Sequence, residues 1–304
     1  MPFTPLCSDK KSVLSAMSGG GRPGYDMPYI PLKCDMRWYS TGEACEILSR
    51  FKHVAFIGDS LMRHIVNAMY VFLRRDIGYG AITDWNLNFT EAEDIKSKED
   101  CKCTAQTGKH ICSDAVISQT SWVAGNASFV SDPQPLACPD SVDMSFTRSN
   151  AFPAVEEELR EMRAALPESV PSSSGKPYAF VLHSTFWNNV NTTATVAWVE
   201  QITDYLRASV PSLSGFGARM DRLFVTANAG GLGKNAEYLE SQGNQQLGNF
   251  EKNIMLELED KGVDVLGCFN MSLQTITSDG THASFGTNLL KAQMVLNWLD
   301  NLER

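Results

Sequence analysis

His53-Val54-Ala55-Phe56-Ile57-Gly58-Asp59-Ser60-Leu61 decides the fold: an apolar run of β character enters Gly-Asp-Ser, and a helical pattern follows without a break. From Leu61 to Arg75 the apolar residues Leu61, Ile65, Ala68, Met69 and Phe72 recur at helical spacing, which reads as an amphipathic helix packed on a sheet. The stretch is therefore strand, turn, helix. Such a turn puts Ser60 at the carboxyl end of a buried strand and the amino end of a helix. Backbone N–H groups point outward there, and open α/β sheets bind ligands at that edge.

Working outward, the second half of the chain alternates helix and strand, the signature of a parallel sheet covered on both faces. The helices are expected at Ala154–Leu166, Ala194–Ser209, Tyr238–Asp260 and Ser284–Leu302, and the strands at Tyr178–Leu182, Arg222–Thr226 and Val263–Leu266. Pro171-Ser172-Ser173-Ser174-Gly175 is a loop within one sheet rather than a domain boundary. The first half is less regular. Residues 1–50, with Gly19 to Gly24, Pro28, Pro31, Cys7, Cys34 and Cys45, read as an irregular segment tied down by disulfides. Trp38 there is either a plug at the core edge or a sugar-stacking platform near the site. Residues 79–140 read as an inserted lobe over one end of the sheet, with short strands at Thr83–Phe89 and Asp114–Ser118. Cys101, Cys103, His110 and Cys112 match no common zinc-finger spacing, so disulfides are expected and no metal. The chain is one α/β domain of 304 residues.

Chemistry comes from a second fragment more than two hundred residues downstream, Ser278-Asp279-Gly280-Thr281-His282. A serine hydroxyl is a weak nucleophile at neutral pH, so it needs a base in hydrogen-bond reach, and the base needs a partner that fixes its tautomer. His282 and Asp279 can supply both from one turn. Donors for an oxyanion are the Ser60 N–H, Arg63 one helical turn on, and the loop Ser184-Thr185-Phe186-Trp187-Asn188-Asn189. Asn188 and Arg63 each read equally well as an ordinary turn residue and an ordinary solvated arginine. His183, at the end of a strand, reaches the same edge or acts as a core-edge histidine. His64, turned about 100° from Arg63 on the helix, reads as a surface or packing residue.

The net charge of −9 and pI near 5.1 give no electrostatic footprint for nucleic acid or an anionic membrane. No window approaches the roughly 18 apolar residues of a membrane span, and no signal-peptide pattern opens the chain. Eight cysteines and sequons at Asn88, Asn126, Asn191 and Asn270 point to an oxidising compartment reached with a targeting segment removed, secreted or in the Golgi lumen. Eight cysteines permit 105 pairings, so the connectivity is open.

Gly58-Asp59-Ser60-Leu61, the Asn188 loop and Asp279-x-x-His282 resemble blocks I, III and V of the SGNH/GDSL hydrolase superfamily. Gly-Asp-Ser-Leu-x-Arg through Arg63, with the segment from Gly21-Arg22-Pro23 to Cys34, is similar to its PC-esterase branch. That branch includes trichome-birefringence-like polysaccharide O-acetyltransferases and related fungal secreted acyl esterases. The resemblance runs from about residue 19 to the C-terminus. It departs from the family at block III, where Phe186 replaces the usual glycine, and at block II, where only Gly80 and Gly125 are candidates. It implies a three-layer α/β/α sandwich, Ser60 as nucleophile, Asp279 and His282 as its relay, and Arg63 or Asn188 in the oxyanion hole. Asp59, Trp187 and His183 are expected around the substrate, and no cofactor. The implied function is O-acyl, above all O-acetyl, ester hydrolysis on a carbohydrate by a monomer. The alternatives are an O-acetyltransferase with the same site, or a carbohydrate-binding protein that stacks sugars on Trp38, Trp85, Trp122 and Trp187.

Overall fold

The computed structural model describes residues 5–21, 29–75, 136–139, 142–167, 175–214, 219–275, 277 and 279–302. Five strands, β1 (His53–Gly58), β2 (Met144–Arg148), β3 (Tyr178–His183), β4 (Met220–Val225) and β5 (Asp264–Leu266), form one parallel sheet in the order β2-β1-β3-β4-β5. Strand order reverses direction between β1 and β3. The crevice outside their carboxyl ends is a topological switch point, where such sheets take ligands.

The longer helices are α1 (Lys10–Ser18), α2 (Thr41–Ser49), α3 (Ser60–Leu73), α4 (Glu156–Ala164), α5 (Thr192–Ser209), α6 (Asn244–Glu259) and α7 (Phe285–Asp300). Alternate strand residues face opposite ways, and the two cores follow that alternation. Val54, Phe56, Ala179, Val181, Leu223 and Val225 pack with α1, α2, α3 and α7, whereas Ala55, Ile57, Tyr178, Phe180, Leu182 and Phe224 pack with α4, α5 and α6. β1 and β3 are buried at every position, which is why their sequences are nearly continuous apolar runs. The helix that was expected over Tyr238–Asp260 is broken by Gly243, whose extended backbone separates a one-turn segment, Leu239–Gln242, from α6.

Residues 1–50, expected to be irregular and tied down by disulfides, carry the Cys7–Cys34 disulfide but are corrected at 10–18 and 41–49, which are two capped helices. In α1, Asp9 accepts from the Ser12 N–H while the Ser12 hydroxyl accepts from Asp9; Ser40 and Glu43 make the same reciprocal arrangement at α2. Each box satisfies two donors that a helix start otherwise leaves open, and the signal is legible in Ser40-x-x-Glu43. Disulfides join Cys7 to Cys34 and Cys45 to Cys138, across 27 and 93 residues. Closing loops of that length stabilises a fold by about 3–5 kcal/mol each in the chain-entropy account. Cys268 is a buried free thiol, so the expected full use of cysteine in disulfides does not extend to it.

The 79–140 lobe, with its two short strands, Gly80, Gly125, Trp85, Trp122, Cys101, Cys103, His110 and Cys112, lies outside the described residues apart from 136–139. Its roots are described. The Ala137 N–H donates to the Leu73 carbonyl at 2.8 Å, so the chain leaves the end of α3 and returns beside it. α3 runs back from the carboxyl edge, so these roots sit at the edge opposite Ser60. Among the described residues, no helix is long and apolar enough to cross a membrane.

Candidate active site

Three local features present Ser60. Gly58 is paired with His183 across β1 and β3, and a Cβ at Gly58 would stand 2.1 Å from the His183 carbonyl oxygen. Only glycine lets the two strands close at that level. Asp59 is the N-cap of α3, its Oδ1 accepting from the Leu61 N–H at 2.9 Å. Ser60 then opens the helix, where backbone donors have no intrahelical partner and the dipole favours negative charge.

The distant fragment meets it. The Ser60 hydroxyl lies 2.8 Å from His282 Nε2, and His282 Nδ1 lies 2.7 Å from Asp279 Oδ2. A carboxylate only accepts, so Nδ1 carries the proton and Nε2 is free to accept from the serine. The other carboxylate oxygen of Asp279 accepts from the backbone N–H groups of Thr281 and His282, at 2.9 and 2.7 Å. Burial pushes the Asp279 pKa up, but the imidazole and the two N–H groups outweigh it and hold the carboxyl well below the usual carboxylate range. Asp279 therefore stays ionised at any pH at which the imidazole acts as a base.

The loop after β4 clamps this turn in place. The Gly231 N–H donates to the Gly280 carbonyl at 2.9 Å, Asn228 Nδ2 donates to the Thr281 carbonyl at 3.1 Å, and the Lys234 ammonium donates to the Thr281 hydroxyl at 3.2 Å. Gly280 has φ +77°, and a Cβ there would meet the Lys234 backbone nitrogen at 1.9 Å. Asn228 also accepts from the buried Lys291 ammonium of α7. Burial lowers the Lys291 pKa, while nearby Cys268 and Asp59 raise it.

Asp59 and His183 were expected to line the substrate; both are only 1% exposed. The substrate-lining reading is corrected for both: Asp59 lies beneath the Ser60 turn, and His183 is the core-edge histidine that its strand-end position also allowed. His183 Nδ1 donates to the Val225 carbonyl at 2.7 Å, and its Nε2 faces Asp59 Oδ1 at 3.3 Å without the alignment of a hydrogen bond. Burial raises the Asp59 pKa, and His183 with the Leu61 N–H reverses that and leaves it lowered.

The reading of His64 as an ordinary packing histidine is also corrected, because its ring lies 5.2 Å from the His282 ring. Helix geometry explains this: four residues on, His64 lies only about 40° around α3 from Ser60, on the same face and one turn along. Burial, then the adjacent His282 and Arg63, hold its pKa well below the ordinary 6.5, against an opposing pull from Asp279. Burial likewise lowers that of His53, which sits between Asp143 and Ser145 at the start of β1. Both protonate more easily in the unfolded chain, so stability should fall as the pH drops below 6.5. Urea unfolding at about pH 7.5 and about pH 5.5 is expected to show that loss, with at most about 1.4 kcal/mol per pH unit from each histidine. His64→Phe should remove its share of the slope; equal stability of the unsubstituted chain at the two pH values would contradict neutral buried imidazoles.

Of the expected oxyanion donors, Asn188 is turned away. Its amide donates to Thr195 Oγ1 at 2.8 Å and to the Asn191 carbonyl at 3.4 Å, and its oxygen accepts from the Asn191 N–H, so it braces the start of α5. Arg63 stays at the site, with a buried Nε that has no hydrogen-bond partner. Trp187 stands 58% exposed on the loop after β3, next to Phe186, which packs against Leu61. Trp38 is not near the site: Arg37 and Tyr39 on either side of it bond to Asn297 and Gln293 of α7. Asn297 is about 18 Å along the helix axis from Phe285.

Sequence reasoning missed Asn228, Lys234, Lys291 and Arg148. Asn228 and Arg148 sit at or just past strand ends at the catalytic edge, and asking which polar residues follow each strand there would have found Asn228. Arg148 gave no such signal because β2 was not read as a strand. Among the described residues no group of three or more His, Cys, Asp or Glu side chains is placed to hold a metal ion. Compared with protein-family models, curated proteins and solved structures, the chain matches none of them.

Proposed function

We propose that this protein is a serine-dependent O-acyl esterase of the SGNH/GDSL kind, close to the PC-esterase branch, that removes small acyl groups, acetyl above all, from carbohydrate hydroxyls. The observation that carries the reading is the unbroken relay from Asp279 through His282 to Ser60, with both hydrogen bonds under 3 Å. Ser60 Oγ attacks the ester carbonyl carbon as its proton passes to His282 Nε2. The tetrahedral oxyanion forms at the start of α3, where the Ser60 N–H and the helix dipole favour it. Collapse breaks the bond to the sugar oxygen, which leaves with the proton from Nε2, and the acyl group stays on Ser60. Water, deprotonated by His282, then attacks the acyl carbon; the second tetrahedral species collapses with cleavage of the bond to Ser60 Oγ, which takes the proton back from Nε2 as the acid is released.

The exposed Trp187 supports a sugar as the alcohol half, because an accessible indole beside the nucleophile offers a stacking face to a pyranose. Disulfides on the N-terminal side support a secretory location. If a second sugar hydroxyl replaces water, the same steps give a transferase. A fluorophosphonate probe tests the activated serine. It is expected to label the protein at Ser60, and to label it more slowly while an acetylated oligosaccharide that the protein hydrolyses is present in excess. An unlabelled, folded protein would leave only the carbohydrate-binding alternative.

A further inference from the structure

Arg148 ends β2 directly opposite Gly58, so its Cα stands about 4.8 Å from the glycine that precedes the Asp59-Ser60 turn. Its guanidinium is held. With the Asn150 amide set by its own contacts, the amide oxygen accepts from Arg148 Nε at 2.8 Å and from Nη2 at 2.9 Å, and the amide nitrogen donates to the Ser149 carbonyl. That clamp leaves the far edge of the guanidinium open. Glu158, in the first turn of α4, is committed elsewhere, accepting from the Ser149 hydroxyl and from the Asn150 and Ala151 N–H groups.

Arg63 stands one helical turn past Ser60 on α3, and burial, then the positive charge of Arg148, lower its pKa. Neither forms an ion pair with a carboxylate among the described residues, although Asp59 lies below Arg63. Two adjacent cations repel each other, and burying the Nε of one without a partner carries a desolvation cost. Two guanidiniums set against the one buried carboxylate of Asp59 leave a net positive charge beside Ser60, in a chain whose net charge is −9.

We infer that Arg148 and Arg63 form an anion subsite on the β2 side of Ser60, which makes the substrate an acylated acidic glycan carrying a carboxylate or sulfate near its ester. The sugar ring lies between this subsite and Trp187 on the β3 side. A planar guanidinium with a free edge takes a carboxylate or sulfate oxygen pair well. The inference rests on the esterase reading for the ester but not for the anion, so binding tests it apart from turnover.

Calorimetry on the Ser60→Ala protein should compare trigalacturonate, a monosulfated trisaccharide and xylotriose. At least one of the two anionic sugars is expected to bind ten or more times tighter than xylotriose, and which one does identifies the anionic group. Adding Arg148→Gln or Arg148→Glu should remove that preference while the thermal midpoint stays near that of the parent. Equal binding of all three sugars, or a preference that survives both substitutions, overturns the subsite. Failure of the esterase reading looks different: Ser60 stays unlabelled by the fluorophosphonate while the anionic preference persists.

Discussion

Hydrolysis of a chromogenic acetate ester by the Ser60→Ala protein is expected to fall by about 10⁴- to 10⁶-fold in kcat, the range that loss of a nucleophile produces in Ser-His-Asp hydrolases. The substitution deletes one oxygen and disturbs little else. Asp59, not Ser60, caps α3, and the His282–Asp279 contact does not depend on the serine. The thermal midpoint should therefore move by no more than a few degrees. His282→Ala should be nearly as slow, and the double substitution no slower than Ser60→Ala alone, because members of one relay do not contribute additively. If Ser60→Ala turned over at close to the unsubstituted rate, the hydroxyl would have no part in the reaction.

Gly280→Ala is expected to lower kcat/KM by about 100-fold or more without touching any group that reacts. The residue has φ +77°, and an added Cβ would fall 1.9 Å from the Lys234 backbone nitrogen, so the turn must move. Asp279 and His282 are held by that turn, and a misplacement of about 1 Å in a catalytic group is worth about two orders of magnitude. Because the added methyl strikes backbone rather than the flexible end of a side chain, relaxation around it is limited. The loss should appear in kcat more than in KM, since the subsites on the β2 and β3 loops are untouched. Fluorophosphonate labelling of Ser60 should slow in parallel. A variant with unaltered kcat would mean that the clamp from the β4 loop does not set the position of His282.

Much of this architecture is written locally. The run from His53 to Leu61 is legible because a central parallel strand must be apolar on both faces, and the α3 pattern follows with no linker between them. The pairing of Ser60 with His282 is legible for a chemical reason, since each is a poor catalyst without the other. Asp59 and His183 were harder. Polar residues in a site motif read as substrate contacts, and only burial reveals that they brace the turn from below. His64 escaped because an angle measured from Arg63 hides its place about 40° around the helix from Ser60. β2 escaped because it is an edge strand: three of its five residues are only half-buried, which weakens its apolar signal. The helices at α1 and α2 are short, and their capping boxes are a better guide to them than periodicity.

The hydrogen bond between Ala137 and Leu73 carries a consequence for how this scaffold tolerates change. The two roots of the segment between Arg75 and Leu136 meet on the side of the sheet remote from Ser60, with Cys45–Cys138 tying the returning root to α2. Halving or doubling such an excursion alters the closure entropy by only about 0.6 kcal/mol. Closure entropy alone therefore sets only a weak limit on how much chain can lie between these two roots.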